Sequence, residues 1–327
     1  MTILSGLSGL RLCAENLSGN CGKNITWALD DDGVLTLTGQ GDMPNFFKND
    51  SIPWQGKNVV SVIVGDGITC IGARSFYGCS SLCSVNFGNT VKSVGNWAFE
   101  DCINLRDVKF PGSMKRIGYS SFEGCSGLSE IEISDSVISI GSRTFYGCSG
   151  LNVVKIGNSV TDIGHQTFEN CSQLNTLTIG SAVRFIGKDV FYGCCELKEV
   201  NSLNPVPPET TLVESAHLFS NSAYETAQLN VPIGSLKSYR VIDAWDKFKN
   251  MKEKDFSGQD VVDRDAISVI AAKGEIIVSA AKEDLNMEIY DIRGRNVYHG
   301  AIGSIKVCSS GVYFVRVAGI TNKVIVK

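Results

Sequence analysis

A phenylalanine and a cysteine recur together every 23 residues, at Phe76/Cys79, Phe99/Cys102, Phe122/Cys125, Phe145/Cys148, Phe168/Cys171 and Phe191/Cys194. Further columns keep the same phase: Ile71, Val94, Ile117, Ile140, Ile163 and Ile186, each followed by glycine, then Leu82, Leu105, Leu128, Leu151, Leu174 and Leu197. A fixed period in the twenties with an L-x-x-L-x-L strand pattern is the signature of a solenoid, in which every repeat is one coil stacked on the next. Such a chain buries one continuous core along its length and presents extended faces rather than a cleft.

The repeat that starts at Leu128 shows how a coil is built. Leu128, Ile131 and Ile133 point inward from a strand whose intervening residues are polar. Val137 and Ile140 repeat the inward bias on the return side as a second short strand, and Gly141 permits the tight backbone of the next corner. Phe145 then plugs the centre and Cys148 closes the coil. Ser142 to Phe145 has room for one helical or 3₁₀ turn. A lone coil cannot bury its own apolar face, so both ends need caps. Upstream, Trp27 to Leu29 and Val34 to Thr38 flank Asp31-Asp32-Gly33 as a hairpin does. Downstream, Asn204-Pro205-Val206-Pro207-Pro208 breaks the repeat, and an apolar strand (228–232) and a helix-like stretch (235–248) follow.

Twelve cysteines raise the question of disulfides and metals. Six belong to the ladder, where stacked neighbours point the same way, whereas a disulfide needs facing Cβ vectors. They read as buried, reduced thiols acting as small hydrophobes. Cys79-x-x-x-Cys83 and Cys194-Cys195 each have one member in that ladder, so no metal site is expected. Cys13 and Cys21 are candidates for pairing in an oxidising compartment.

The remaining composition narrows the function. The net charge of −4 is spread along the chain and gives no concentrated basic face for nucleic acid. No apolar run approaches the roughly 18 residues of a membrane span. Residues 1–13 are apolar and rich in small residues, and read as a candidate export-signal remnant. The three histidines, His165, His217 and His299, fall in a repeat, in the exit segment and near the C-terminus. Nothing encodes a nucleophile–base pair, a phosphate-cradling loop or metal-ligand spacing. No enzyme and no cofactor are expected.

The candidate binding face is the outward side of the L-x-x-L-x-L strands. Its charged residues are Arg106, Asp107, Lys109, Glu130, Glu132 and Lys155. Lys109, Glu132 and Lys155 alternate in sign along one column, as cross-strand pairs that neutralise one another. Asp107 and Glu130 are adjacent like charges, a candidate site for a cation or a basic ligand. A second candidate is an aromatic ridge on the corner beside the plug, with Tyr77, Tyr146 and Tyr192 after the phenylalanine and Trp97 and Tyr119 before it. The ridge either covers the corner or docks a partner or glycan.

The repeat resembles the BspA-like, or Treponema pallidum-type, leucine-rich repeat of bacterial surface proteins, with a pattern close to L-x-x-L-x-L-P-x-S-V-x-x-I-G-x-x-A-F-x-x-C. Residues 105–127 match nearly position for position, Pro111 and Ser113 included. Cys21 to Asn24, Trp27, Gly33 to Leu37, Gly39, Gly41 and Pro53-Trp54 resemble the cap that precedes such repeats, and 204–208, Val231-Pro232 and 245–250 resemble their exit. A separate resemblance covers about residues 265–327: Met287 to Arg295, Gly311 to Val317 and the ending Lys323 to Lys327 look like the C-terminal sorting domain of type IX secretion cargo. That resemblance implies a small immunoglobulin-like β-sandwich, and period-2 alternation at Glu288 to Tyr290 and Tyr313 to Val317 supports a β unit independently. The stretch is short for a full seven-strand sandwich, which leaves a six-strand version or a passive evolutionary remnant as alternatives.

The expected architecture is therefore mainly β, an α-β solenoid of leucine-rich repeats in a right-handed superhelix of 23-residue repeats, plus a small C-terminal immunoglobulin-like β-sandwich. The expected boundaries are an N-terminal segment at 1–13, a cap at 14–57, repeats at 58–204, a second cap at 205–254, a linker at 255–265 and the sandwich at 266–327. The resemblance implies an exported protein at the cell surface or outside the cell, which recognises a protein or glycan ligand on host or bacterial surfaces. The alternative is a structural spacer or assembly module of the cell envelope.

Overall fold

The computed structural model describes residues 17–47, 51–211 and 217–256, together with seven strands between residues 267 and 326. The chain divides into two compact units, Met1–Lys254 and Asp255–Lys327.

The first unit is a β-solenoid. Each coil gives one front strand, at Ser61–Val64, Ser84–Asn86, Asp107–Lys109, Glu130–Ile133, Val153–Ile156, Thr176–Ile179 and Glu199–Ser202. Each also gives a back strand, in most coils of two residues, such as Arg116–Ile117 and Ser139–Ile140. Neighbouring coils pair in parallel at the 23-residue offset, Val154 against Leu177 in front and Ile140 against Ile163 behind. Alternation sets the faces: in Glu130–Ile133 the two glutamates are exposed and the two isoleucines buried. That strand is half apolar because only half of it meets the core.

A column of stacked rings runs through the centre. Phe76, Phe99, Phe122, Phe145, Phe168 and Phe191 stack with centroids 4.9–5.7 Å apart. The coil spacing of about 4.8 Å forces this near-parallel offset geometry. Trp54 continues the stack at one end (5.5 Å to Phe76) and Phe219 at the other (5.1 Å to Phe191). Edge-on rings then close both ends, Trp27 and Phe46 against Trp54, and Tyr224, Trp245 and Phe248 against Phe219. The caps thus cover the open ring faces that a solenoid otherwise exposes to water.

The N-terminal cap contains the hairpin, with Ile25–Leu29 antiparallel to Val34–Gly39, which in turn runs parallel to Ser61–Val64. Leu17–Asn20, where no strand was expected, pairs antiparallel to Ile25–Leu29. At the exit, Gln228–Pro232 joins the front sheet in parallel, and Asn250–Lys254 adds a further strand. The helix-like stretch 235–248 holds only the one-turn helix Leu236–Tyr239, followed by turns, and a second short helix lies at Asn221–Thr226. Tertiary anchors explain the early stop. The Tyr239 hydroxyl donates to the Asn204 carbonyl (2.7 Å), Trp245 Nε1 donates to the Pro208 carbonyl (3.0 Å), and Ala244 between them turns left-handed at φ 73°. These bonds tie the segment to the proline-rich break it must cover.

The front sheet is interrupted once. Asp107–Lys109 ends one six-stranded sheet and Glu130–Ile133 begins another, while the back sheet continues through eight strands. The interruption coincides with Pro111, which has no N–H and stands where other coils carry Gly65, Gly88, Gly157 and Gly180. Gly112 beside it also lacks a side-chain acceptor. In other coils that acceptor takes the next coil's N–H, as Asp66 Oδ1 does for Asn89 (2.7 Å) and Asn158 Oδ1 for Ser181 (3.0 Å).

In the second unit, Ile267–Ala272, Glu275–Ala280 and Ser304–Lys306 form one antiparallel sheet. Asn296–Ala301, Asn286–Asp291, Gly311–Val317 and Ile320–Val326 form the other. The stretch that looked short for seven strands accommodates seven. Met287, Ile289 and Val315 are fully buried on one face of the four-stranded sheet.

Candidate functional site

The front face carries the charged columns. Arg106, Asp107, Lys109, Glu130, Glu132 and Lys155 are all exposed, because each occupies an outward position of an alternating strand or the residue before it. Glu132 stands directly opposite Lys155 in the register. The pair does not close, however, and none of the six charged side chains makes an ion pair within 4 Å among the described residues. Lys109 and Glu132 face each other across the interruption, as do Asp107 and Glu130, so neither is a hydrogen-bonded neighbour pair. Opposite charges thus stand one strand apart along this column without closing into ion pairs among the described residues. Along the same column the face closes over: Asn201 and Asn230 are buried, and the Asn230 amide donates to Glu199 Oε1 and Asn201 Oδ1, both at 2.8 Å.

The corner beside the phenylalanine plug is built on an unusual backbone. Arg74, Trp97, Ser120, Arg143, Gln166 and Asp189 share one phase of the repeat, and all have φ between 49° and 60°. The glycine two residues earlier has another reason to be there. A Cβ on Gly164 would stand 2.3 Å from the Ser142 nitrogen, and one on Gly95 2.6 Å from that of Ala73, so these glycines serve the close approach of coils. At Arg74 and Arg143 the left-handed residue places its side chain over the tyrosine three residues on.

This backbone assembles the aromatic ridge into three groups. In the first, the Arg74 guanidinium lies 5.2 Å from the Tyr77 ring and 5.1 Å from the Trp97 ring, and Tyr119 meets Trp97 edge-on at 5.4 Å. In the second, the Arg143 guanidinium lies 3.8 Å over Tyr146 and is held in both arms by Glu123, with Nε 3.2 Å from Oε2 and the other arm on Oε1. Asn170 Nδ2 donates to the Tyr146 hydroxyl at 3.1 Å. In the third, Tyr192 tilts against His217 with centroids 5.5 Å apart. Between the first two groups, burial and the neighbouring Glu123 and Asp101 carboxylates push the Glu100 carboxyl up to about 6, against the pull of Arg74 and Arg143. The arginines and glutamates were not among the residues singled out from sequence. A visible signal existed: Arg-x-x-Tyr recurs at Arg74/Tyr77 and Arg143/Tyr146, three periods apart.

The cysteine ladder is inward and polar in a small way. Cys102, Cys125, Cys148, Cys171 and Cys194 each donate S–H to the phenylalanine carbonyl of the preceding coil, at 3.1–3.3 Å. Burial pushes all five thiols upward. Cys79, first in the ladder, is less enclosed and pushed up to about 11. Cys21 is buried and also pushed up to about 11, while Cys13 lies outside the described residues. His165 is an acceptor: its Nδ1 takes the Lys188 N–H at 2.8 Å, where Ser142 and Asn96 serve the same corner of other coils. Among the described residues, no His, Cys, Asp and Glu gather as metal ligands, and no helix is long and apolar enough to cross a membrane.

Similar solved structures include bacterial leucine-rich repeat proteins. A Treponema pallidum leucine-rich repeat protein is 26% identical, covering 54% of this chain and 90% of its own, with a TM-score of 0.42. A leucine-rich repeat protein from Bacteroides ovatus is 18% identical, covering 71% and 76%, with a TM-score of 0.40. A leucine-rich cell surface protein from Faecalibacterium prausnitzii is 15% identical, covering 74% and 96%, with a TM-score of 0.24. No curated protein matches. The BspA type leucine rich repeat region matches in six copies, over residues 53–137 and 125–240, and so spans every coil of the ring stack from Phe76 to Phe219. With its 23-residue coils, leucine strands and Phe/Cys ladder in the places that repeat demands, the chain belongs to the BspA-type leucine-rich repeat family.

Proposed function

We propose that this protein is an exported, non-enzymatic recognition protein, whose solenoid binds a protein or glycan ligand on host or bacterial surfaces. The observation that carries this reading is the state of the front face. Arg106, Asp107, Lys109, Glu130, Glu132 and Lys155 are exposed on the front face, on either side of its interruption, with no ion pair among the described residues. A face built only to be solvated gains from closing Glu132 on Lys155, which the register places opposite each other. Unclosed charges of both signs on an exposed face suit complementary charges on a partner, and such charges steer association and set its register. The small β unit at the C-terminus fits the role of an export-sorting domain, as its resemblance to type IX cargo implies.

The test is binding of the purified full chain to immobilised matrix proteins, mucins and bacterial glycans across a range of salt concentrations. Saturable binding that weakens with salt and is lost in a Glu130→Ala, Glu132→Ala, Lys155→Ala triple variant of unchanged thermal stability supports the reading. Folded protein that binds nothing on the array moves the weight to an envelope spacer or assembly module.

A further inference from the structure

Arg74 and Arg143 occupy the same place in coils three periods apart, yet only one of them is complete. Both are left-handed, at φ 60° and 57°, and both lie over the tyrosine three residues on. Arg143 has its guanidinium fork filled by Glu123 in two-armed fashion. Arg74 lies against two rings rather than one, 5.2 Å from the Tyr77 centroid and 5.1 Å from that of Trp97, which orients it without filling its fork. Among the described residues its fork meets no carboxylate within 4 Å and makes no hydrogen bond. Glu100 and Asp101 are the carboxylates of the next coil at this corner. Glu100 feels the Arg74 charge without bridging it.

A guanidinium fixed by stacking loses little entropy when it binds, and its planar fork matches a carboxylate in two-armed geometry. The coil before Arg143 supplies that carboxylate from a glutamate side chain. The corresponding place before Arg74 falls in the cap, at Trp54 and Gln55, where the chain has no acid. A cavity of about 340 Å³ opens at Trp54 and Gln55, lined also by Lys57, Asn58, Ser80 and Ser81; Arg74, Tyr77 and Trp97 are not part of its lining. Lys57 adds positive charge there, and the amides and hydroxyls can bond a peptide backbone.

We infer that the Arg74 corner is a docking point for an acidic peptide segment of a partner protein, whose glutamate or aspartate side chain fills the fork as Glu123 fills that of Arg143. This rests on the recognition reading above and names the partner chemistry at one place on it. The internal template is a protein side chain, which favours a peptide over an acidic sugar or a free anion.

The probe is a hexaglutamate peptide titrated into the full chain and followed by calorimetry and tryptophan emission. Trp97 is the partly exposed tryptophan among the described residues, the other three being buried. The expected result is saturable binding with a shift in emission. Arg74→Gln should weaken it at least tenfold, Arg143→Gln should leave it within twofold, and hexaglutamine should not bind. Binding unaltered by Arg74→Gln, in a variant with unchanged circular dichroism and melting, overturns the inference. So does binding of 3′-sialyllactose or inorganic phosphate in preference to the peptide, or no binding at all. If the surface array binds wild type and Arg74→Gln equally while hexaglutamate is silent, the docking point falls and the recognition reading stands.

Discussion

The side-chain oxygen of Asn170 stands 2.3 Å from the point that a Cβ on Gly193 would occupy. The two residues hold the same place in successive coils, a second left-handed column formed by Gly78, Asp101, Gly124, Gly147, Asn170 and Gly193. Asp101 and Gly124 repeat the relationship, at 2.4 Å. A side chain in this column therefore requires glycine in the next coil. Gly147 differs: it follows Gly124 and has nothing within 4 Å of its own missing Cβ.

This relationship sets unequal costs for the same substitution. Gly147→Ala should lose about 1 kcal/mol from left-handed strain alone. Gly193→Ala adds the clash with Asn170 and its backbone nitrogen, and should lose about 2–3 kcal/mol. Asn170→Gly combined with Gly193→Ala should recover part of that loss. Urea midpoints of the two single variants and the double variant check the coupling, and additive effects would refute it.

How much of this was readable from sequence depends on whether a position's residue type carries its backbone state. The inward columns were legible because burial demands apolar residues at a strict period, and Phe145 and Leu151 could be placed from that alone. The cap hairpin was legible because Asp31-Asp32-Gly33 carries turn chemistry. The corner was not. Its left-handed position is held by Arg74, Trp97, Ser120, Arg143, Gln166 and Asp189, none of them glycine or asparagine, and the close packing of neighbouring coils holds them there. That position aims the arginines at the rings, so the ridge could be named by its tyrosines but its wiring could not. The exit segment departs from the helix its sequence suggests for a related reason. Tyr239 and Trp245 look like helix-face residues, yet their hydroxyl and indole groups are committed to the Asn204 and Pro208 carbonyls.

Ser120 is the weakest residue of the corner column. It is fully buried at φ 49°, and its hydroxyl has no hydrogen-bond partner. Threonines at the next phase, Thr144 and Thr167, avoid this fault by donating to the carbonyls of Gly141 and Gly164. Ser120→Gly removes the left-handed strain and the orphaned hydroxyl together, and should stabilise the protein by about 1–2 kcal/mol. A rise in urea midpoint checks it. A fall would mean that the hydroxyl is satisfied in solution.

Glu100 should make stability depend on acidity in a defined direction. Its carboxyl is pushed from the ordinary 4.5 up to about 6 in the folded chain, first by burial and then by Glu123 and Asp101. The folded state thus binds the proton more tightly than the unfolded state does. Its contribution is most favourable below about pH 4.5 and is lost as pH rises through 6. Glu100→Gln should therefore raise stability above pH 6.5 by something on the order of 1 kcal/mol, a figure discounted for the side chain's partial solvation. The advantage should vanish near pH 4. Thermal melts of both proteins between pH 4 and 8 check the sign.

The thiol ladder gives the last prediction. Cys125 and Cys148 are fully buried, donate to the Phe99 and Phe122 carbonyls, and are pushed upward by burial, so neither forms thiolate at neutral pH. Cys195 is exposed and Cys83 partly so. Brief iodoacetamide treatment of the native protein at pH 8 should label Cys195 and then Cys83, and should spare Cys125 and Cys148 until denaturant is added. Mass mapping reads the order directly. Cys148→Ser keeps a donor of similar size, whereas Cys148→Val removes the bond to the Phe122 carbonyl and adds volume to a fully buried site. In a core packed to crystal density the added volume should cost about 1–3 kcal/mol, the serine variant losing less. Equal losses would show that the thiol acts only as filler, and that its hydrogen bond to the coil before it adds nothing to the stack.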